Sequence, residues 1–198
     1  MKKIILATGN KNKLKEVQEI FAGTEFTVSS TGMEGIVLSD PETGETFEEN
    51  ALIKAREGAR KLPGAIVIAD DSGLEIDFLG KAPGIHSARF MGHDTPYDKK
   101  NSALLEKLVG VPEKDRTARF VCAMAACFPD GTQILVRETM EGVIGEEARG
   151  ENGFGYDPIF FLPEYGMSSA EISAEEKNRI SHRGKALRKL KDELVHRS

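Results

Sequence analysis

Tryptophan is absent from this chain of 198 residues, cysteine occurs twice, and aromatic residues make up only 7%. Long apolar runs are missing as well. The stretches Ile4–Ala7 and Ala65–Ala69 fall far short of the roughly 20 residues that cross a bilayer. The apolar run after Met1-Lys2-Lys3 is also too short for the core of a secretory signal, so a cytoplasmic location is expected, with no membrane contact. There is no surplus of basic charge: 27 Lys and Arg face 32 Asp and Glu, a formal net of −5. That balance argues against wholesale binding of nucleic acid but leaves room for a local basic pocket. Cys122 and Cys127 stand an odd number of positions apart on a β-like segment, hence on opposite faces of a strand. No disulfide and no zinc site is expected from them. Repeats, low-complexity tracts and linker-like shifts in composition are lacking, which points to a single domain over residues 1–198, with room for two lobes.

Several catalytic signatures are missing too. No segment supplies G-x-x-x-x-G-K-[ST], and Gly153-Phe154-Gly155 begins a G-x-G-x-x-G but stops short. Neither G-x-S-x-G, H-E-x-x-H nor S-x-x-K occurs.

What is present alternates between strand-like and helix-like patterns. Lys3–Ala7 reads as a buried strand. Leu14, Val17, Ile20 and Phe21 then fall at helical spacing before Gly23, and 25–30 reads as a second strand. Thr46-Phe47-Glu48-Glu49 is a capping box; it opens a helix whose stripe is Phe47, Ala51, Ala55, Ala59 and Leu62. Ala65–Ala69 reads as a strand ending in Asp70-Asp71-Ser72-Gly73, with Leu74–Phe78 as a separate strand. Thr95-Pro96 predicts an N-cap followed by proline at N1, with the helix running to about Val109. Thr117–Phe128 and Gln133–Val143 flank Pro129-Asp130-Gly131 as a hairpin. A glycine-rich loop at 150–156, a strand at Pro158–Leu162, a second capping box at Ser173–Glu176 and a helix carrying Leu187, Leu190 and Leu194 complete the chain. The order implies α/β with a mixed sheet.

Three clusters could carry chemistry. Lys11, Lys13 and Lys15 crowd the first turn of the first helix, just after a strand and Thr8-Gly9-Asn10. Cations there oppose the helix dipole. They read either as a solvated basic face or as a site where backbone N–H groups and lysines converge on phosphate. Asp70-Asp71 is either an Asx-turn with Ser72-Gly73 or part of a divalent-metal site, which Glu42 could complete. Lys177, His182 and Arg183, with Phe154-Gly155-Tyr156-Asp157, offer groups for a base and its phosphates. Read singly, the same residues fit a charged helix surface, a core histidine and core aromatics.

Taken in order, these motifs resemble a known family. Thr8-Gly9-Asn10-x-x-Lys13, Thr46-Phe47-x-Glu49-Asn50-Ala51-x-x-Lys54-Ala55 and Ala69-Asp70-Asp71-Ser72-Gly73-Leu74 come first. Pro83-Gly84-Ile85-x-Ser87-Ala88-Arg89, Gly153-Phe154-Gly155-Tyr156-Asp157-Pro158 and Ile180-Ser181-His182-Arg183 follow. The chain is similar to the inosine/xanthosine triphosphate pyrophosphatase family from residue 4 to about residue 194. The resemblance implies an elongated mixed β-sheet with flanking helices, two lobes, a central active-site cleft and a homodimer. It implies Mg²⁺-dependent hydrolysis of ITP, dITP and XTP to the nucleoside monophosphate and pyrophosphate. It places substrate against Thr8, Gly9, Asn10, Lys11, Asn12, Lys13, Lys54, Ser72, Phe154, Gly155, Tyr156, Asp157, Lys177, His182 and Arg183. Asp71 becomes the proton acceptor and a metal ligand, with Asp70 a further polar candidate. Some relatives carry paired acids before the Thr-Gly of the metal loop. Here the stretch is Asp40-Pro41-Glu42-Thr43-Gly44, which leaves Glu42 as the second metal ligand. The competing readings are a pyrophosphatase for other modified nucleotides and a nucleotide-binding regulatory module without turnover.

Overall fold

The computed structural model describes residues 2–197, apart from the side chain of Asn12. Seven strands form one sheet in the order β2-β1-β3-β4-β5-β6-β7. The strands are β1 (Lys2–Leu6), β2 (Phe26–Ser30), β3 (Ile66–Ile76), β4 (Thr117–Cys127), β5 (Gln133–Ile144), β6 (Phe160–Leu162) and β7 (Met167–Ser168). β1 pairs in parallel with β2, Ile4 opposite Val28, and with β3, Ile5 opposite Val67. β6 pairs antiparallel with β5 and β7. The mixed sheet expected from the alternation of patterns is therefore present. The helices are α1 (Lys11–Phe21), α2 (Phe47–Lys61), α3 (Tyr97–Lys107), α4 (Ala174–Ile180) and α5 (His182–His196). Among the described residues, no helix is long and apolar enough to cross a membrane.

The chain forms two compact units. One comprises 1–71, 122–138 and 183–198, the other 72–121 and 139–182. In the first, Ile4, Leu6 and Ile68 on the sheet pack with Val17 and Phe21 of α1 and with Leu187, Leu190 and Leu194 of α5. These are the apolar positions that recur at helical spacing, and their burial is what holds both helices on the sheet. In the second, Leu74, Ile76, Phe120, Met140 and Phe160 pack with Leu104 and Leu108 around the α3 end and with Ile172. Cys122 and Cys127 are buried free thiols.

Several local expectations change. Residues 66–76 make one strand, not two with a turn between them. The Asp70 and Asp71 carboxylates go to lysines instead of to turn amides, and Leu74 and Ile76 remain in the core beyond them. The capping box at Thr46 is as expected, with both halves formed. The α2 stripe is rotated: Gly58 is buried, not Ala59. A Cβ at position 58 would stand 2.7 Å from a Val67 methyl, so glycine is what lets helix and strand come this close. α3 begins at Tyr97, with Pro96 at the cap, and ends at Lys107; the Thr95 hydroxyl donates to the Met91 carbonyl instead of capping. At α4 only half of the second capping box forms. The Ser173 hydroxyl accepts from Glu176 N–H, while the Glu176 carboxylate binds Arg179 and the Tyr165 hydroxyl.

Candidate active site

In the first unit, β1 delivers Thr8 and β3 delivers Asp70 and Asp71. The Thr8-Gly9-Asn10 turn is held by its own side chains: Thr8 Oγ1 accepts from Asn10 N–H at 3.1 Å, and Asn10 Oδ1 accepts from Lys13 N–H at 3.3 Å. Gly9 is open, since a Cβ there would meet nothing within 4 Å. Lys11 is exposed, and no acidic residue occupies the first turn of α1. Lys13 turns inward and meets Asp70 Oδ2 at 2.8 Å. Arg183, at the start of α5, approaches the same oxygen at 3.5 Å and pairs with Glu16 at 2.8 Å. Asn12 is the one predicted contact whose side chain lies outside the described residues.

The adjacent acids have opposite electrostatics. Burial by itself would push the Asp70 carboxyl up, but Lys13, Arg183 and Lys54 outweigh it and hold it well below the usual carboxylate range. Asp71 is pushed above its ordinary value, first by burial and then by repulsion from Glu42 and Asp70, against the pull of Lys54. Lys54 lies 3.1 Å from Glu42 Oε1 and 3.2 Å from Asp71 Oδ1. Burial disfavours its charge, yet Asp71, Asp70 and Glu42 together raise its pKa. One ammonium thus satisfies several acids, and each acid receives only a share of it.

No group of three or more His, Cys, Asp or Glu side chains able to hold a metal occurs among the described residues. The smaller set, Glu42 and Asp71, does fit a hard cation that completes its shell with phosphate oxygens and water. Both carboxylates already converge on a single positive charge, that of Lys54.

Two residues of this unit carry roles that the sequence did not assign. Asn50 is fully buried; its Oδ1 accepts from Gly44 N–H at 2.9 Å and its Nδ2 donates to Asp71 Oδ2 at 3.4 Å. Its spacing of one helical turn from Lys54 was the available signal. Glu57 is 1% exposed and binds the Ser39 and Asp40 amides. Those partners lie 18 and 17 positions away, beyond the reach of a local pattern.

In the second unit, the 150–156 loop is fixed from below. Asp157 is buried and uses both oxygens: Oδ1 accepts from Ser169 Oγ at 2.9 Å, and Oδ2 accepts from Phe154 N–H at 2.8 Å and from Lys177. Gly153 has φ +75°, and a Cβ there would overlap Asp157 Oδ2 and come within 2.7 Å of Lys177 Nζ. Only glycine allows that approach. Tyr156 is buried, with its hydroxyl donating to the Ser87 carbonyl at 2.7 Å. Its environment is core. Gly155 has φ +72° beside the Tyr97 ring. Phe154 is the exposed aromatic, 38% accessible, with Lys177 Nζ 5.2 Å from its ring centre. His182 is buried and stacks on Phe120 at 5.0 Å. Ser72 is half-buried on β3. This cluster therefore offers the exposed ring of Phe154 with a cation beside it, and Asp157 holds both, through the Phe154 amide and the Lys177 ammonium.

A model described as the Ham1 family matches residues 4–193. A Bacillus cereus protein named dITP/XTP pyrophosphatase is 47% identical over 196 residues, covering 98% of this chain and 95% of that protein. The solved structure of a HAM1 protein from Coxiella burnetii superposes with a TM-score of 0.91 at 40% identity, over 99% of this chain and 100% of that one. The Staphylococcus aureus Ham1 protein gives 0.89 at 38% identity, over 100% of both chains.

Proposed function

Since the chain belongs to the Ham1 family, matched over residues 4–193, we propose that it is a nucleoside-triphosphate pyrophosphatase that removes non-standard purine nucleotides. Its substrates in this reading are ITP, dITP and XTP, and its products the nucleoside monophosphate and pyrophosphate. The observation that carries the reading is Lys54 shared between Glu42 and the raised carboxyl of Asp71. It supplies a base, a place for a cation and a positive charge within one buried cluster.

A triphosphate carries about four negative charges, and a chain of net charge −5 binds it through local cations. The open Thr8–Lys13 turn offers backbone donors and lysines to the outer phosphates. Asp71 takes the proton from a water aligned on the α-phosphorus; a carboxyl raised above its usual value is the better proton acceptor. Lys13 and Lys54 meet the charge that grows on the leaving pyrophosphate. Glu42 and Asp71 would hold Mg²⁺, which would supply further charge neutralisation. Phe154 stacks on the base, and Lys177 donates to the 6-oxo group that hypoxanthine and xanthine share. Adenine presents an amino group there, which leaves the donor unsatisfied at a cost of about 1–3 kcal/mol. The protein acts as a cytoplasmic homodimer in this reading, as its resemblance implies.

The test is a panel of ITP, dITP, XTP, GTP and ATP with Mg²⁺ and with chelator, reading phosphate and pyrophosphate separately. ITP and XTP should exceed ATP in kcat/KM by at least tenfold, about 1.4 kcal/mol, and chelation should stop turnover. In ¹⁸O-labelled water the label should enter the monophosphate. Equal rates for ATP and ITP would remove the substrate reading, label in pyrophosphate or orthophosphate would remove α attack, and binding without turnover would make the protein a regulatory module.

A further inference from the structure

The loop that carries Glu42 has no secondary structure, yet it is gripped along one face of α2. Positions 50, 54, 57 and 61 follow helical spacing and share that face. At one end, Gly44 N–H donates to Asn50 Oδ1 at 2.9 Å. Gly44 lies so close that a Cβ would stand 2.7 Å from Glu49 Cβ and 2.8 Å from Asn50 Oδ1. At the other end, Glu57 accepts from Ser39 N–H at 2.7 Å and from Asp40 N–H at 3.1 Å, one bond to each oxygen. Lys61 completes that end, donating to the Val37 carbonyl at 2.7 Å and to Glu57 at 2.6 Å. Glu57 is 1% exposed. Burial disfavours its charge, but Lys61 and the two amides bring its pKa down to about 2. Between the two grips, Glu42 faces Lys54 at 3.1 Å.

We infer that Glu57 is a positioning residue for the cation site: its carboxylate fixes the Ser39–Asp40 backbone and so holds Glu42 opposite Asp71. The inference rests on the reading of Glu42 and Asp71 as metal ligands. A buried carboxylate committed to two consecutive amides fixes a backbone position, because leaving those amides unpaired is costly. Two residues further on, the chain presents Glu42. Asn50 makes the matching connection from the other side, since its amide touches Asp71 as well as the loop. Groups that orient metal ligands typically cost about 10–100-fold in metal affinity when they are altered.

The experiment measures Mn²⁺ binding to the full chain by electron paramagnetic resonance and calorimetry, for wild type, Glu42→Gln, Glu57→Gln and the double variant. Glu57→Gln keeps one acceptor oxygen and turns an amide donor toward the second N–H. Its Mn²⁺ dissociation constant should rise by about tenfold. Its kcat at saturating Mn²⁺ should recover, and its ITP-to-GTP preference should not change. In the Glu42→Gln background, Glu57→Gln should add nothing, because its effect passes through Glu42. If Glu57→Gln does not accumulate in folded form, Glu57→Asp replaces it: it keeps the charge but is too short to reach both amides, and it should show the same loss. Wild-type Mn²⁺ affinity in a folded Glu57 variant, or an additive loss in the double variant, would overturn the inference. If Glu42→Gln itself binds Mn²⁺ like wild type, the metal reading of Glu42 fails, and the inference falls with it for that separate reason.

Discussion

Asp70→Asn and Asp71→Asn change neighbouring residues by the same atoms, and the structure predicts opposite consequences for stability. Asp70 is 4% exposed and faces Lys13 at 2.8 Å and Arg183 at 3.5 Å. Removing one member of a buried ion pair costs about 3–5 kcal/mol, mostly because the other charge is stranded. Here the stranded cations keep some support: Arg183 retains Glu16 at 2.8 Å, and the Lys13 side chain is 19% exposed. A loss of about 2–4 kcal/mol is expected for Asp70→Asn. At about 2–4 °C per kcal/mol for a chain of this size, Tm should fall by roughly 4–16 °C. Asp71 runs the other way. Its carboxyl is raised above the usual 3.8, so the ionised form works against folding at neutral pH. Asp71→Asn should leave Tm unchanged or higher while turnover is lost. The pH dependence follows with its sign. Asp70 is depressed below 3.8, so its contribution is present above that value and is lost as pH falls through its folded pKa. The gap between wild type and Asp70→Asn should therefore close in acid. Asp71 favours the folded state only in its protonated form, and that contribution is lost as pH rises through its folded pKa. Calorimetric melts at neutral and acid pH, with turnover measured alongside, test the pair. Equal falls in Tm for both variants, or a Tm of Asp70→Asn within about 1 °C of wild type, would refute the reasoning.

Other outcomes follow from the same geometry. Phe154→Ala should raise KM for ITP by about 5–150-fold, the equivalent of the roughly 1–3 kcal/mol carried by a stacked base. It should barely move Tm, because the ring is already 38% exposed; a large fall in Tm with KM unchanged would make Phe154 a packing residue. In the metal-free protein, carboxyl ¹³C NMR should show Asp71 titrating above 3.8 and Asp70 below it. The reverse order would exchange their roles.

The sequence by itself determined the class of fold, because burial follows periodicity. The apolar spacing of Leu187, Leu190 and Leu194 and the run Ile4–Ala7 could be satisfied only by packing helices on a sheet, and those residues are core. It also determined the Thr46 cap, where the interaction spans three residues and needs no distant partner. The motifs assembled one cluster around Asp71 and another around Phe154. What periodicity could not settle was any choice that depends on a partner far along the chain. The Asp70-Asp71-Ser72-Gly73 stretch has turn chemistry, and it became strand because Lys13, Lys54 and Arg183 claim the carboxylates. Tyr156 could be read as core or as a stacking platform, and it is core, its hydroxyl donating to the carbonyl of Ser87, 69 positions away. Glu57 stands one helical turn before Lys61 and binds it, and the arriving 39–40 backbone buried its carboxylate. In each case the local chain offers a side chain two uses of similar free energy, and only the tertiary structure, by bringing up a charge or an unpaired amide, decides which is taken.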